Sequence, residues 1–483
     1  MVAEANLKSK TFKGTIWGTL ERFSAQGISF IVQMVMARVL TPEDYGLVGM
    51  VLVVVNVAQS LVDSGFTQAL IRKQDRTETD NSTAFYFNVV IGFLLYIIVW
   101  FLAPLVVMIY DEPRLLWMTR VLALPLLFNS LTVVQRALFT ANMDFKTQTF
   151  ATLPAAIISG VIGVYMAYTG WGVWSIVAVN VFNLVLPCGF FWIYSKWRPT
   201  WVFSWESFRQ LFFFGYKIAA SGLIHTAYTN GFNFIVGKFY SAASLGFFTY
   251  AQRYVLFFSS NVSGILLRVT YPVLCKFQDD DIQLRAVFTK MIRVSSFIIF
   301  ALMMGLAGVA QPLIQVILTE KWSYSADLLQ ILCLGFIWFP VYSMNLNILL
   351  VKGKSNLYLK LEIVKKIIFV AVLVGACFIS LEAMCWAIVV NSVVEVFVNS
   401  YYTQKLIGIS IFRQLREIMP SLIYSVLMAV VAWIVTQVTP GGELVKLIAG
   451  IIAGTLFFFT VTYLMKSQDL AYCLSLIKRK TDS

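Results

Sequence analysis

From residue 14 to residue 465 the chain is a succession of long apolar stretches separated by short polar turns. A helix needs roughly twenty mostly apolar residues to cross the hydrocarbon core of a bilayer, and that length in series is the mark of a chain that crosses it repeatedly. Sliding such a window along the sequence predicts about fourteen spans, at 14–38, 46–68, 84–109, 115–139, 150–168, 172–195, 211–238, 245–270, 287–318, 325–351, 359–379, 383–404, 417–438 and 443–465. The 483 residues are 59% hydrophobic and only 13% charged, too few charges to cover a water-facing surface. A soluble enzyme and a disordered chain are thereby excluded. Six Cys and one His build neither a disulfide scaffold nor a metal framework. The fold class expected is all-α and integral to the membrane.

The net charge of +13 does not argue for nucleic acid as a partner, because in a polytopic protein Lys and Arg collect in cytoplasmic loops. With the N-terminus inside, most of the basic residues fall in alternate loops, among them Arg72, Lys73 and Arg76, Lys196 and Arg198, Arg285, Lys290 and Arg293, Lys352 and Lys354, and Arg413 and Arg416. An even number of spans with both termini in the cytoplasm follows. Met1 to Lys13 is polar and the first apolar segment is of full spanning length, so no cleavable signal peptide is expected.

An internal repeat is visible at an offset of 200. Ala37 to Val48 lies over Gly237 to Phe248, each copy a helix end, a basic residue, a short loop and a Gly (Gly46, Gly246) opening the next helix. Six spans separate the copies, so both run the same way through the membrane and two parallel six-helix repeats are expected, with a substrate path between them. The domain division that follows is 1–195 for helices one to six, 196–210 for a cytoplasmic amphipathic linker, 211–405 for helices seven to twelve, and 406–483 for two extra helices and a cytoplasmic tail. The linker carries Trp197, Trp201, Trp205 and Phe208 at helical spacing and reads as a helix on the membrane surface.

Ionisable and polar groups inside spans are costly, so they mark function or pairing. Thr15, Thr19, Arg22, Gln26, Ser29 and Gln33 form one face of helix one, next to Glu21, and helix two answers with Asn56, Ser60 and Asp63. Arg22 and Asp63 are equidistant from the Thr41–Asp44 turn, so they share a depth; a static ion pair and a releasable gating or coupling pair are both open. Helix seven has Lys217 and His225, and helix eight has Arg253, Asn261 and Arg268. The candidate cavity residues are therefore Arg22, Gln26, Gln33, Asn56, Ser60, Lys217, His225, Arg253, Asn261 and Arg268, a basic set suited to a phosphate-bearing solute. Arg136 and Arg268 lie near helix ends, where snorkelling is the simpler reading. Lys366 and Glu395 flank the Ser380–Leu381 turn symmetrically and are expected to pair, either structurally or as a gating or proton-coupling element. A Cys377–Cys385 bridge is left open. There is no Walker A, HExxH or GxSxG sequence, no catalytic residue and no metal site is assigned, and no cofactor is expected beyond an undetermined coupling proton or sodium ion.

Phe30 to Met50 (FIVQMVMARVLTPEDYGLVGM), Gln68 to Gln74 and Leu138 to Lys146 (LFTANMDFK) resemble the corresponding segments of bacterial polysaccharide flippases of the multidrug/oligosaccharidyl-lipid/polysaccharide superfamily. The resemblance implies a V-shaped two-lobe bundle in the bacterial inner membrane that flips an undecaprenyl-pyrophosphate-linked oligosaccharide by alternating access for surface polysaccharide synthesis. It also implies a cavity lined by helices one, two, seven and eight, and a groove for the lipid tail beside helices thirteen and fourteen. Partners implied are the lipid-linked substrate, membrane lipids, a polymerase and glycosyltransferases. Alternatives are a lipid II flippase, a cation-coupled drug exporter, for which the membrane acids are few, and a membrane oligosaccharide polymerase, for which the outer loops are short.

Overall fold

The structure, a computed structural model, describes the backbone at residue 17 and over 24–63, 65–73 and 75–472, with side chains there except at 63, 217, 260–269, 272 and 355. Among the described residues there are helices and turns and no strand. Lipid leaves no other choice for an open chain, since each backbone N–H and C=O must be satisfied within its own segment. The chain forms two compact units, Met1–Gly246 and Phe247–Ser483.

The first unit contains α1 (24–39), α2 (Pro42–Asp63), α3 (Phe66–Arg72), α4 (Glu78–Tyr110), α5 (Leu115–Leu122), α6 (Leu124–Ser130), α7 (Val133–Ala141), α8 (Phe145–Tyr168), α9 (Val173–Tyr194) and α10 (Trp205–Phe239). Its helix starts are written in the sequence. Thr77 and Asp80 form a capping box at α4, and the Asp144 side chain accepts from the Thr147 N–H at α8. Small residues let helices close up where apolar burial gives no drive. A Cβ on Gly160 would lie 2.4 Å from Val32, and one on Gly163 2.0 Å from Val179, so α1 and α9 both sit on the glycine face of α8. Helix α2 packs antiparallel along α10. Their contacts run from Gly65 against Gly215, through Asn56 with Asn230, to Met50 against Gly237.

Helix α11 (Ala242–Cys275) crosses the division between units. The second unit continues with α12 (Asp281–Gly308), α13 (Ala310–Ile317), α14 (Ser323–Phe336), α15 (Phe339–Val351), α16 (Ser355–Cys377), α17 (Leu381–Ile407), α18 (Ile411–Val438) and α19 (Glu443–Leu464). Its interior is tied by buried amides. Asn345 donates to the Gln414 Oε1 at 2.7 Å, Asn399 to the Tyr342 carbonyl at 3.0 Å, and the Thr403 hydroxyl to the Asn345 carbonyl at 3.3 Å, joining α15, α17 and α18.

Among the described residues nine segments are long and apolar enough to span a bilayer, and the bent α5–α7 series brings the number to ten, against the fourteen expected. The other four expected spans fall on α1, α10, α11 and α16, helices that carry polar faces; α16, for example, holds Lys360, Glu362, Lys365 and Lys366 within seven residues. The protein is a multi-pass membrane protein.

One expectation is corrected, and one open alternative is closed. Residues 195–204 are not helical, and α10 starts only at Trp205. Pro199 has no N–H to give and pushes Arg198 out of the helical region. The segment lies as an extended strap over the start of α4: Trp197 donates to Glu78 at 2.7 Å and meets Phe85 edge-on, Trp201 stacks on Tyr86, and the Ser204 N–H donates to Thr83. Cys377 and Cys385 are separate buried thiols, not a disulfide.

Candidate functional site

The polar stripe of helix one continues into the described part of α1, where Gln26 is half-buried, Ser29 exposed and Gln33 buried. Glu21 and Arg22 lie outside the described residues, as does the side chain of Asp63. On α2, Asn56 is exposed and donates from Nδ2 to the Asn230 Oδ1 at 3.2 Å. Ser60 turns its hydroxyl onto the Val57 carbonyl at 2.7 Å. On α10, His225 is exposed and its carbonyl accepts from the Thr229 hydroxyl. The structure thus gathers Asn56, Asn230 and, one turn or so away, His225 on facing helices of one unit. Asn230 was missed because it lies five residues beyond His225, off the face that Lys217 and His225 share; its meeting with Asn56 is a matter of packing, not of spacing.

Of the second-unit candidates, Arg253 is half-buried, with its guanidinium over the Tyr250 ring at 5.5 Å and a buried Nη1 that no hydrogen-bond acceptor meets among the described residues. A guanidinium held against an aromatic face with an open N–H is poised for an anionic acceptor. The side chains of Lys217, Asn261 and Arg268 lie outside the described residues. Arg136 sits over the Phe191 ring.

Glu395, expected to pair with Lys366, lies in a cluster around the neighbouring Lys365. This lysine is almost fully buried, with Nζ 2.5 Å from Glu362 and 3.8 Å from Glu395, and Asn391 donates to the Glu395 Oε1 at 3.1 Å. The midpoint rule gives depth to within about a residue; the 100° turn between neighbouring positions then decides which lysine faces α17. Outside the spans, Arg114 donates to Glu112 at 2.8 Å and also pairs with Glu43, and this hydrogen bonding holds the Glu112 carboxyl below its usual range.

Among the described residues the structure is that of an all-helical, multi-pass membrane protein with polar faces on several of its helices. Superposed on solved structures, the chain matches a lipid II flippase, MurJ, in an inward closed conformation, with a TM-score of 0.71 at 14% identity over 93% of this chain and 99% of that one. It also matches an inward-facing multidrug resistance MATE family transporter, with a TM-score of 0.62 at 14% identity over 79% and 94%. These likenesses concern the fold. The family is given by sequence: residues 35–327 match the model of the polysaccharide biosynthesis protein family, and the chain belongs to it. Relatives include the teichuronic acid biosynthesis protein TuaB of Bacillus subtilis, 25% identical over 78% of each chain. The lipopolysaccharide biosynthesis protein WzxC of Escherichia coli is 24% identical over 77% of this chain and 76% of its own. The succinoglycan biosynthesis transport protein ExoT of Rhizobium meliloti is 22% identical over 81% and 80%.

Proposed function

We propose that the protein flips an undecaprenyl-pyrophosphate-linked oligosaccharide across the bacterial inner membrane by alternating access, with both termini in the cytoplasm, in the service of surface polysaccharide synthesis. The observation that carries this reading is the pair of exposed polar groups on helices of spanning length, Asn56 and His225, in a member of this family. Such groups cost several kcal/mol against lipid, so they border a polar passage. The cargo's polyprenyl tail has a counterpart in an apolar groove of about 480 Å³ lined by Phe297, Leu302, Leu313, Met428, Gly454 and Phe458. Arg22, Lys217, Arg253 and Arg268 supply the positive charge that holds the pyrophosphate, and Asp63 and Glu21 are the acids available for gating or coupling to a proton or sodium ion. A polymerase and glycosyltransferases act on either side of the step.

The test is glycan export in cells lacking the gene and complemented with variants. Arg22→Ala and Arg253→Ala are each expected to abolish export at normal protein levels, because a pyrophosphate clamp loses charge-assisted donors. Export at the wild-type rate from both variants would overturn the basic passage.

A further inference from the structure

A basic cavity lies wholly in the second unit. It measures about 550 Å³ and is built at the start of α12, the start of α18 and the segment after α19, from Arg285, Lys290, Arg293, Arg413, Asp469 and Tyr472. In the sequence these basic residues read only as topology signal. Their surroundings differ from those of a solvated loop. Arg293 is spent on structure, donating to Asp469 at 3.1 Å and to Glu417 at 3.4 Å, and so tying α12 to α18 and to the chain after α19. Arg285, Lys290 and Arg413 have no carboxylate within ion-pair distance among the described residues, and Lys290 rests on the Tyr472 ring at 3.9 Å. Arg413 stands in the first turn of α18, against the positive end of that helix's dipole, while the start of α12 is answered by Asp280 and Asp281 ahead of Arg285. With Arg293 paired to Asp469 and Glu417, the three remaining bases leave the cavity with a positive potential suited to an anion.

The mouth of the cavity says which anion. Ile282, 80% exposed, lines it, and Phe412, 78% exposed, precedes Arg413. Two large apolar side chains beside three free bases at the end of spanning helices match the boundary between headgroups and acyl chains. We infer that this cavity binds the phosphate headgroup of an anionic phospholipid of the leaflet at that end of the helices, and that the bound lipid clamps α18 to α12.

The experiment is native mass spectrometry of the full chain in detergent, titrated with phosphatidylglycerol and, separately, phosphatidylcholine. Wild type is expected to take up phosphatidylglycerol in preference to phosphatidylcholine. The variant Arg285→Gln/Lys290→Gln/Arg413→Gln should bind phosphatidylglycerol roughly tenfold or more weakly, since each Lys or Arg near a lipid surface contributes appreciably. A control with the same loss of charge elsewhere, Lys196→Gln/Arg209→Gln/Lys276→Gln, should bind as wild type does. Equal binding by the cavity variant, equal loss in the control, or no preference for the anionic lipid would each overturn the site. Displacement of phosphatidylglycerol by inorganic pyrophosphate would reassign the cavity to a free phosphate, and displacement by undecaprenyl pyrophosphate alone would reassign it to a polyprenyl substrate. The readout is binding, so failed transport would not be mistaken for failure here.

Discussion

Lys365 shows how much one side chain can carry inside a membrane protein. Buried between Glu362 and Glu395, it offsets two carboxylates that neither lipid nor water solvates well. Lys365→Met is expected to destabilise by about 3–5 kcal/mol, the usual consequence of leaving a buried charge unanswered. Adding Glu362→Gln and Glu395→Gln should recover most of the loss. Thermal unfolding in detergent measures both steps. If the recovered triple variant exports glycan normally, the cluster only holds α16 to α17; if it folds and does not export, the cluster belongs to the transport cycle.

A smaller effect at the same scale concerns Glu112. Its carboxyl is depressed by the hydrogen bond from Arg114, so the pairing stabilises the fold above the ordinary carboxylate value of 4.5 and is lost as pH falls through the folded-state value. Arg114→Ala should therefore lower the melting temperature at pH 7 more than at pH 3. The shift should be small, below about 1 kcal/mol, because the pair is partly solvent-screened.

At the scale of elements, the repeated loop has a physical meaning that its offset of 200 does not state. A Cβ on Gly46 would lie 1.6 Å from the Ala242 carbonyl oxygen, and one on Gly246 would lie 1.9 Å from the Pro42 carbonyl oxygen. Residues 42 and 46 thus meet 242 and 246 reciprocally, as two-fold-related copies of one loop do when they cross. Neither glycine tolerates a side chain without moving backbone. Gly46→Ala and Gly246→Ala are each expected to destabilise by about 1–3 kcal/mol, the range for overpacking. Gly231→Ala in α10, where a Cβ meets nothing within 4 Å, should be neutral or slightly stabilising, since it also removes a poor helix former. Thermal stability of the three purified variants decides it; equal behaviour of all three would refute the close crossing. Periodicity made both glycines visible as equivalents, while their contact depends on how the helices cross.

For the whole molecule the topology can be checked directly. Cysteines placed at Lys196 and Lys354 are expected to react with an impermeant thiol reagent only after the cells are opened, and one at Arg114 to react in intact cells. The reverse pattern would invert the orientation drawn from the basic loops.

What the sequence by itself determined is the solvent the protein lives in, the places where helices start and turn, and the family. Hydropathy, caps and short motifs are local properties, legible wherever a span is uniformly apolar. They became ambiguous where a helix carries polar residues along its length, as α10, α11 and α16 do. Tertiary structure alone decided partners: Asn230 for Asn56, Lys365 for Glu395, Glu78 and Tyr86 for the tryptophans of the 195–204 strap, and a cavity whose basic residues stand more than a hundred positions apart. A residue's spacing along its own helix sets the face it occupies, but only the crossing of two helices sets what that face meets.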